Sequence, residues 1–133
     1  MPPFAVTPLY AGLCAILLIA LSLRVARLRG SLKVALGDGG ERALQKAIRV
    51  QGNFVEYVPM ALLLLFLLEL SRQAPLWALH VLGAGLLLGR ILHAIGLSTS
   101  AGLSFGRFVG TLLTFSMILI TAIWLLIVVI TTM

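Results

Sequence analysis

Long apolar stretches alternate with short polar ones along the chain, and this pattern predicts its helices. Four stretches, roughly residues 4–23, 54–70, 76–97 and 108–130, consist mostly of hydrophobic side chains. Each approaches the ~20 residues that an α-helix needs to cross a bilayer. The pattern therefore predicts an all-α membrane protein with four transmembrane helices.

Short connections between these stretches predict how the helices are arranged. The second connection, residues 71–75, ends in Pro75, and proline is favoured in the first turn of a helix. The third, residues 98–102, contains only small or polar side chains. Short connections make neighbouring helices antiparallel. We therefore expect an up-down four-helix bundle in which residues 1–133 form a single domain.

The first connection is rich in glycine and marks a break after a basic segment. Asp38 followed by Glu41 resembles a capping box, which predicts that a helix restarts near Gly40. The same helix would run without interruption into the second apolar stretch. It would therefore project beyond the bilayer before entering it.

Composition and charge agree with a membrane location. Of the 133 residues, 61% are hydrophobic and 11% charged, whereas soluble domains contain about 25% charged residues. Most of the basic residues lie between the first two apolar stretches: Arg24, Arg27, Arg29, Lys33, Arg42, Lys46 and Arg49. By the positive-inside rule, the first connection is cytoplasmic and both termini are non-cytoplasmic. These basic residues follow the first stretch, whereas a cleaved signal peptide has them in front.

Several classes of site are not expected. The basic segment lacks the interleaved aromatic side chains of a single-strand binder, so nucleic acid is not an expected partner. Cys14 is the only cysteine and is expected to be a small apolar core residue. His80 and His93 have no other ligand at suitable spacing, so no metal site is expected.

A polar stripe enters the second apolar stretch. Arg49, Asn53 and Glu56 fall within roughly a 60° arc of one helix face at about 100° per residue. Arg90 and His93, three residues apart in the third stretch, also share a face. Ionisable groups at membrane depth persist mainly where they face a bundle interior or a wet cavity. These residues thus form a receptor for a small zwitterion, or else an Arg90–Glu56 ion pair clamps two helices.

Other features have structural interpretations. Glu69 and Arg72 are expected to be a pair that reaches into the headgroup region. Small-residue stripes predict close helix approach at Gly85-x-x-x-Gly89 and at Gly102-x-x-x-Gly106-x-x-x-Gly110. The sequence contains no Ser/His/Asp set and no phosphate loop. If the protein is an enzyme, we expect a nucleophile supplied by the substrate, and arginines suit a thiol because guanidinium groups lower its pKa.

The motif Arg49-x-x-x-Asn53-x-x-Glu56-Tyr57-x-Pro59 resembles that of the MAPEG family, the membrane-associated proteins in eicosanoid and glutathione metabolism. The likeness includes Gln51 within the motif and spans nearly the whole chain. It also covers the segments Ser22-Leu23-Arg24-Val25 to Arg29 and Arg90-Ile-Leu-His93. The form here resembles the bacterial branch of the family. The resemblance implies a location in the bacterial inner membrane.

The resemblance further implies a homotrimer that binds glutathione between subunits, on the cytoplasmic side. The residues implied to contact glutathione are Arg29, Arg49, Gln51, Asn53, Glu56, Tyr57, Arg90 and His93. Among them, Glu56 would bind the γ-glutamyl ammonium group and Arg29 a carboxylate. The thiolate-activating arginine lies at the start of the fourth helix, where Arg107 is the only basic candidate.

Two positions depart from the family pattern. An ungapped alignment with the leukotriene synthase branch puts Ser104 at the catalytic position, and Arg107 matches if the third connection is three residues longer. Leu97 stands where that branch has a second tyrosine.

The leading hypothesis is a detoxifying transferase that conjugates glutathione, its co-substrate, to lipophilic electrophiles from the bilayer, or reduces lipid hydroperoxides. The alternatives are a non-catalytic scaffold that binds glutathione or lipid, and a purely structural bundle.

Overall fold

Four long helices make up the structure, a computed structural model that describes residues 4–99 and 104–133. They are α1 (Val6–Leu32), α2 (Arg42–Ser71), α3 (Leu76–Thr99) and α4 (Phe105–Thr132). Each is long and apolar enough to cross a membrane. The described residues form no strand. The predicted all-α, four-transmembrane-helix fold is therefore confirmed.

The helices pack as an up-down bundle with α2 and α3 at its centre. α1 packs against α2 and α3, and α4 packs against α3 and α2. The buried core contains large apolar side chains from these helices, among them Phe54, Leu65, Leu86 and Met117. Large apolar side chains also remain exposed on all four helices, which suits contact with lipid tails.

The helices extend beyond the apolar stretches that predicted them. α1 continues past residue 23 to Leu32, and α4 begins at Phe105 instead of near residue 108. Arginine and lysine are good helix formers, so the basic segment continues α1 beyond its apolar part. At 1.5 Å per residue, the 27 residues of α1 span about 40 Å, more than the ~30 Å hydrocarbon core. The end of α1 therefore reaches the headgroup region.

The predicted capping box at the start of α2 is wrong. The residue that precedes α2 is Glu41, and its side chain makes no capping hydrogen bond. The Asp38 side chain instead accepts a 2.9 Å hydrogen bond from the backbone N–H of Gly40. Asp38 therefore stabilises the turn before the helix, where Gly37, Gly39 and Gly40 all have positive φ. Three residues with positive φ explain the glycine content of this connection.

Glu69 is buried and caps the N-terminus of α1, so its predicted exposure with Arg72 is wrong. Its carboxylate accepts hydrogen bonds from the backbone N–H groups of Ala5, Val6 and Thr7, at 2.9, 2.9 and 2.7 Å. Helix N-termini present unpaired N–H groups and a partial positive charge. Because α1 and α2 are antiparallel, the C-terminal end of α2 brings this carboxylate to the start of α1.

Glycines on α3 and α4 allow the backbones of these two helices to approach closely. A Cβ atom added to Gly110 would overlap the carbonyl oxygen of Gly89 and lie 2.6 Å from the backbone nitrogen of His93. Farther along, Gly96 faces Gly106. The predicted close approach is thus confirmed at three of its glycines, Gly89, Gly106 and Gly110.

The remaining glycine predictions differ from the structure. A Cβ atom at Gly85 would meet open space, so its place in the contact was predicted wrongly. Gly96, which the sequence analysis missed, belongs to the contact because it lies two turns after Gly89 on one face of α3. Gly102 lies outside the described residues.

Candidate functional site

Arg90 forms the centre of a polar cluster inside the bundle. Its side chain is 2% exposed and lies between α2 and α4. Its Nη2 atom donates to Asn53 Oδ1 of α2 at 2.5 Å, and its Nη1 atom donates to Thr114 Oγ1 of α4 at 3.4 Å. One guanidinium group on α3 therefore connects three helices.

Glu56 does not form the predicted clamp with Arg90. It pairs with Arg49 of the same helix, with 3.2 Å between Glu56 Oε1 and Arg49 Nη1. The predicted arrangement of Arg49 and Glu56 on one face of α2 is thereby confirmed. The two side chains are 54% and 49% exposed, respectively, so the pair lies at the surface of the subunit. The alternative of an Arg90–Glu56 clamp is wrong, because Asn53, one turn closer to the start of α2, accepts the hydrogen bond from Arg90.

His93 lies one helical turn after Arg90 and is equally buried. Its backbone packs against Gly110 of α4, one helical turn after Arg107. Within the described part of the chain, Arg90 Nε and His93 Nδ1 are buried without a hydrogen-bond partner. Most buried polar atoms in proteins are hydrogen-bonded. The cluster therefore retains hydrogen-bonding capacity of its own.

The start of α4 contains Ser104 and Arg107, the two residues that align with the family's catalytic position depending on the length of the third connection. Ser104 is the residue that caps α4, and its Oγ atom accepts a 3.2 Å hydrogen bond from the backbone N–H of Arg107. The Ser104 hydroxyl is thus already used to stabilise the helix start. The Arg107 side chain is half-buried, and the Arg107 backbone nitrogen lies against Gly96 of α3, one helical turn after His93.

Tyr57 and Gln51 take different positions around α2. The Tyr57 ring packs against Phe115 of α4 with 5.1 Å between ring centroids. It lies one helical turn after Asn53, the residue that accepts a hydrogen bond from Arg90. Gln51 is half-buried and lies about 200° around the helix from Asn53. The structure thus brings Tyr57 to the cluster and places Gln51 on another face of α2.

Arg29 has its contacts in the first connection. Its Nη1 atom donates to the carbonyl oxygen of Gly37 at 2.6 Å and to that of Val34 at 3.4 Å. It therefore ties the glycine-rich turn back to the end of α1. In this arrangement Arg29 stabilises the loop, and its contact with a ligand carboxylate stays a prediction.

Two features of the site were missed in the sequence. Thr114 is fully buried against Arg90, but a single threonine within an apolar stretch gives little signal.

An apolar groove of about 290 Å³ between α1 and α2 is lined by residues that include Cys14, Phe54 and Val55. Val55 directly precedes Glu56, so the groove runs beside the polar face of α2. Cys14 is 1% exposed, as expected for a core residue.

Comparisons with known proteins identify the family of the chain. The chain matches the MAPEG family over residues 7–127. It is similar to the inner membrane protein YecN of Escherichia coli strain K12 and of Escherichia coli O6:H1 strain CFT073. In both cases 47% of 91 residues are identical, which covers 68% of this chain and 69% of the relative. No solved structure matches the chain significantly. The relatives and the four spanning helices place the chain in the bacterial inner membrane as a multi-pass protein.

Proposed function

The chain belongs to the MAPEG family, and on that basis we propose that it is a glutathione-binding transferase of the inner membrane. It conjugates glutathione, its co-substrate, to lipophilic electrophiles or reduces lipid hydroperoxides. The observation that carries this proposal is the half-exposed pair of Arg49 and Glu56 on α2. A cation and an anion held side by side match a ligand that carries both charges.

The ion pair is well suited to exchange partners with glutathione. Glu56 receives the γ-glutamyl ammonium group, and Arg49 receives a carboxylate. A solvent-exposed ion pair contributes only about 0–1 kcal/mol to stability, so opening it for a ligand costs little. Each new charge-assisted hydrogen bond to the ligand contributes about 1.5–3 kcal/mol before the entropy of binding is subtracted. The exchange therefore favours binding.

The buried cluster supplies the floor of the proposed site. Arg90 and His93 retain unpaired buried polar atoms within the described residues, and Asn53 connects Arg90 to the exposed face of α2. Arg107 approaches from the first turn of α4. A guanidinium group near the thiol stabilises the thiolate and lowers its pKa, which makes it a better nucleophile at neutral pH.

A second subunit is part of the proposal. Glu56 lies two residues inside the second apolar stretch, and an ion pair at the mouth of a membrane helix is costly against lipid tails. In the proposed homotrimer, a neighbouring subunit covers this face and leaves the site open to the cytoplasm. The whole chain, residues 1–133, is proposed to form one domain of this trimer.

The apolar groove beside the polar face supports a lipophilic second substrate. It has a volume of about 290 Å³ and is lined almost entirely by apolar side chains of α1 and α2. An electrophile dissolved in the bilayer reaches such a groove without crossing water. Its reactive group then approaches glutathione next to Glu56. Membrane lipid is the medium that delivers it.

Calorimetric titration of glutathione into the detergent-solubilised protein tests the proposal. We expect saturable binding, and its absence in a folded sample would refute the proposed function. A conjugation assay with glutathione and a chlorinated nitrobenzene then separates an enzyme from a scaffold. Binding without conjugation and without hydroperoxide reduction would favour the non-catalytic glutathione-binding scaffold.

A further inference from the structure

Two threonines of α4 are fully buried and differ in one contact. Thr114 and Thr121 are both 0% exposed and lie seven residues apart, on one face of the helix. Each hydroxyl donates to the carbonyl four residues earlier, Gly110 O at 2.9 Å and Met117 O at 2.7 Å. Thr114 additionally accepts a hydrogen bond from Arg90 Nη1. The pair therefore offers a natural comparison between a threonine with and without a cation partner.

The orientation of the Thr114 hydroxyl is determined by its own helix. Because its proton is committed to the Gly110 carbonyl, the oxygen presents its lone pairs to other groups. Arginine carries only donors, so the two groups are complementary. The glycine contact between α3 and α4 holds them together, since a Cβ atom on Gly89 would lie 3.2 Å from Thr114 Oγ1.

Arg90 is held from two sides by acceptors on different helices. Asn53 accepts from Nη2, and Thr114 accepts from Nη1. A guanidinium group is planar, so fixing both terminal nitrogens also fixes the plane of the group and the direction of Nε. Without Thr114, the group can turn about the bond to Asn53.

We propose that Thr114 is a positioning residue that orients Arg90 for ligand binding. The inference rests on the proposed glutathione site for its functional consequence. Thr114 lies behind Arg90 on α4 and acts through it, without contact with the ligand. α4 therefore shapes the floor of the site through one hydroxyl, in addition to contributing Arg107.

The test compares Thr114→Val with Thr121→Val in the full-length protein. Both changes keep the shape of the side chain and remove one back-bonded hydroxyl, so both have similar effects on α4 itself. We expect Thr114→Val to weaken glutathione binding five- to twentyfold by calorimetry and Thr121→Val to stay within twofold. Thr114→Ser, which keeps the hydroxyl, is expected to bind like the wild type. Equal affinities for the two valine variants would overturn the inference.

A double-mutant cycle keeps the contact testable without any ligand. The loss of stability on thermal melting in detergent is measured for Thr114→Val, for Arg90→Met and for the double variant. The matched cycle replaces Thr114→Val by Thr121→Val. We expect the changes in the free energy of unfolding to be non-additive in the first cycle and additive in the second, because only contacting residues couple strongly. If the wild type binds no glutathione but the first pair couples, the proposed function fails and the contact stands. Additivity in both cycles refutes the positioning role, and Thr114→Ala replaces the valine variant if that does not fold.

Discussion

Arg90 donates from Nη2 to Asn53 Oδ1 at 2.5 Å, and this hydrogen bond joins α3 to α2 inside the bundle. Asn53 belongs to the same stripe of α2 as Arg49 and Glu56, which pair with each other at the half-exposed surface. The side chains of this stripe therefore face both the interior and the surface of the bundle. Its middle residue holds a buried arginine, and its outer residues remain accessible from outside the subunit.

Glu56→Gln is expected to weaken glutathione binding by about 1–3 kcal/mol, the scale of a lost charge-assisted hydrogen bond. The fold should tolerate the change, because an exposed ion pair contributes about 0–1 kcal/mol. Calorimetry and thermal melting measure the two effects. Glu41→Gln, which removes an exposed carboxylate with no capping bond, is the charge-matched control. Unchanged affinity in a folded Glu56→Gln protein excludes the binding role.

Arg107→Ala is expected to leave glutathione affinity within a few fold and to lower turnover roughly a hundredfold, as for the loss of one electrostatic stabiliser. The measurement is the ultraviolet thiolate absorbance on titration with glutathione, together with the rate of conjugation. Arg27→Ala removes an exposed positive charge from the basic segment and serves as control. An identical thiolate signal in wild type and Arg107→Ala would mean that Arg107 does not activate the thiol, and Arg90 would become the next candidate.

Glu69→Gln is expected to destabilise the bundle by about 1–3 kcal/mol, because a carboxylate that accepts three backbone hydrogen bonds is replaced by a neutral amide. Glutathione affinity should not change. Thermal melting in detergent measures the loss, and Glu41→Gln again provides a carboxylate with no comparable contacts. Equal melting temperatures for the two variants would mean that the cap contributes little to stability.

Gly110→Ala is expected to destabilise the protein by about 1–3 kcal/mol, since the added methyl group overlaps the Gly89 backbone and forces α3 and α4 apart. Gly85→Ala is the matched control, because its methyl group meets open space. The Gly85→Ala protein should be more stable than the wild type by about 0.5–1 kcal/mol, because alanine has a higher helix propensity than glycine. Opposite shifts in melting temperature are therefore expected, and a tolerated Gly110→Ala contradicts the close contact.

The orientation in the membrane is predicted to place the first connection in the cytoplasm. Leu36→Cys, at a side chain that is 91% exposed, should be protected from an impermeant thiol reagent in intact cells. Gln73→Cys in the second connection should react readily. Both are made in a Cys14→Ala background to remove the native thiol. The reverse labelling pattern would invert the topology.

Properties that depend on local sequence were predictable. Helix number follows from the length of each apolar stretch, because a bilayer demands about 20 apolar residues per helix. The shared face of Arg49 and Glu56 follows from helix geometry alone. The recognition of the family likewise depended on spacings within single helices. In each case the interacting residues belong to one segment of chain.

Partners between helices were decided by the tertiary structure. Charge made an Arg90–Glu56 pair one of two alternatives, but the rotation of α2 turns Asn53 inward and Glu56 outward. Glu69 was predicted to face the headgroups, yet the antiparallel packing places it against the free amides at the start of α1. Thr114 meets Arg90 because two glycine surfaces let α3 and α4 approach closely. Relative rotation and register are set by packing along whole helices, so no local pattern encodes which side chains meet across them.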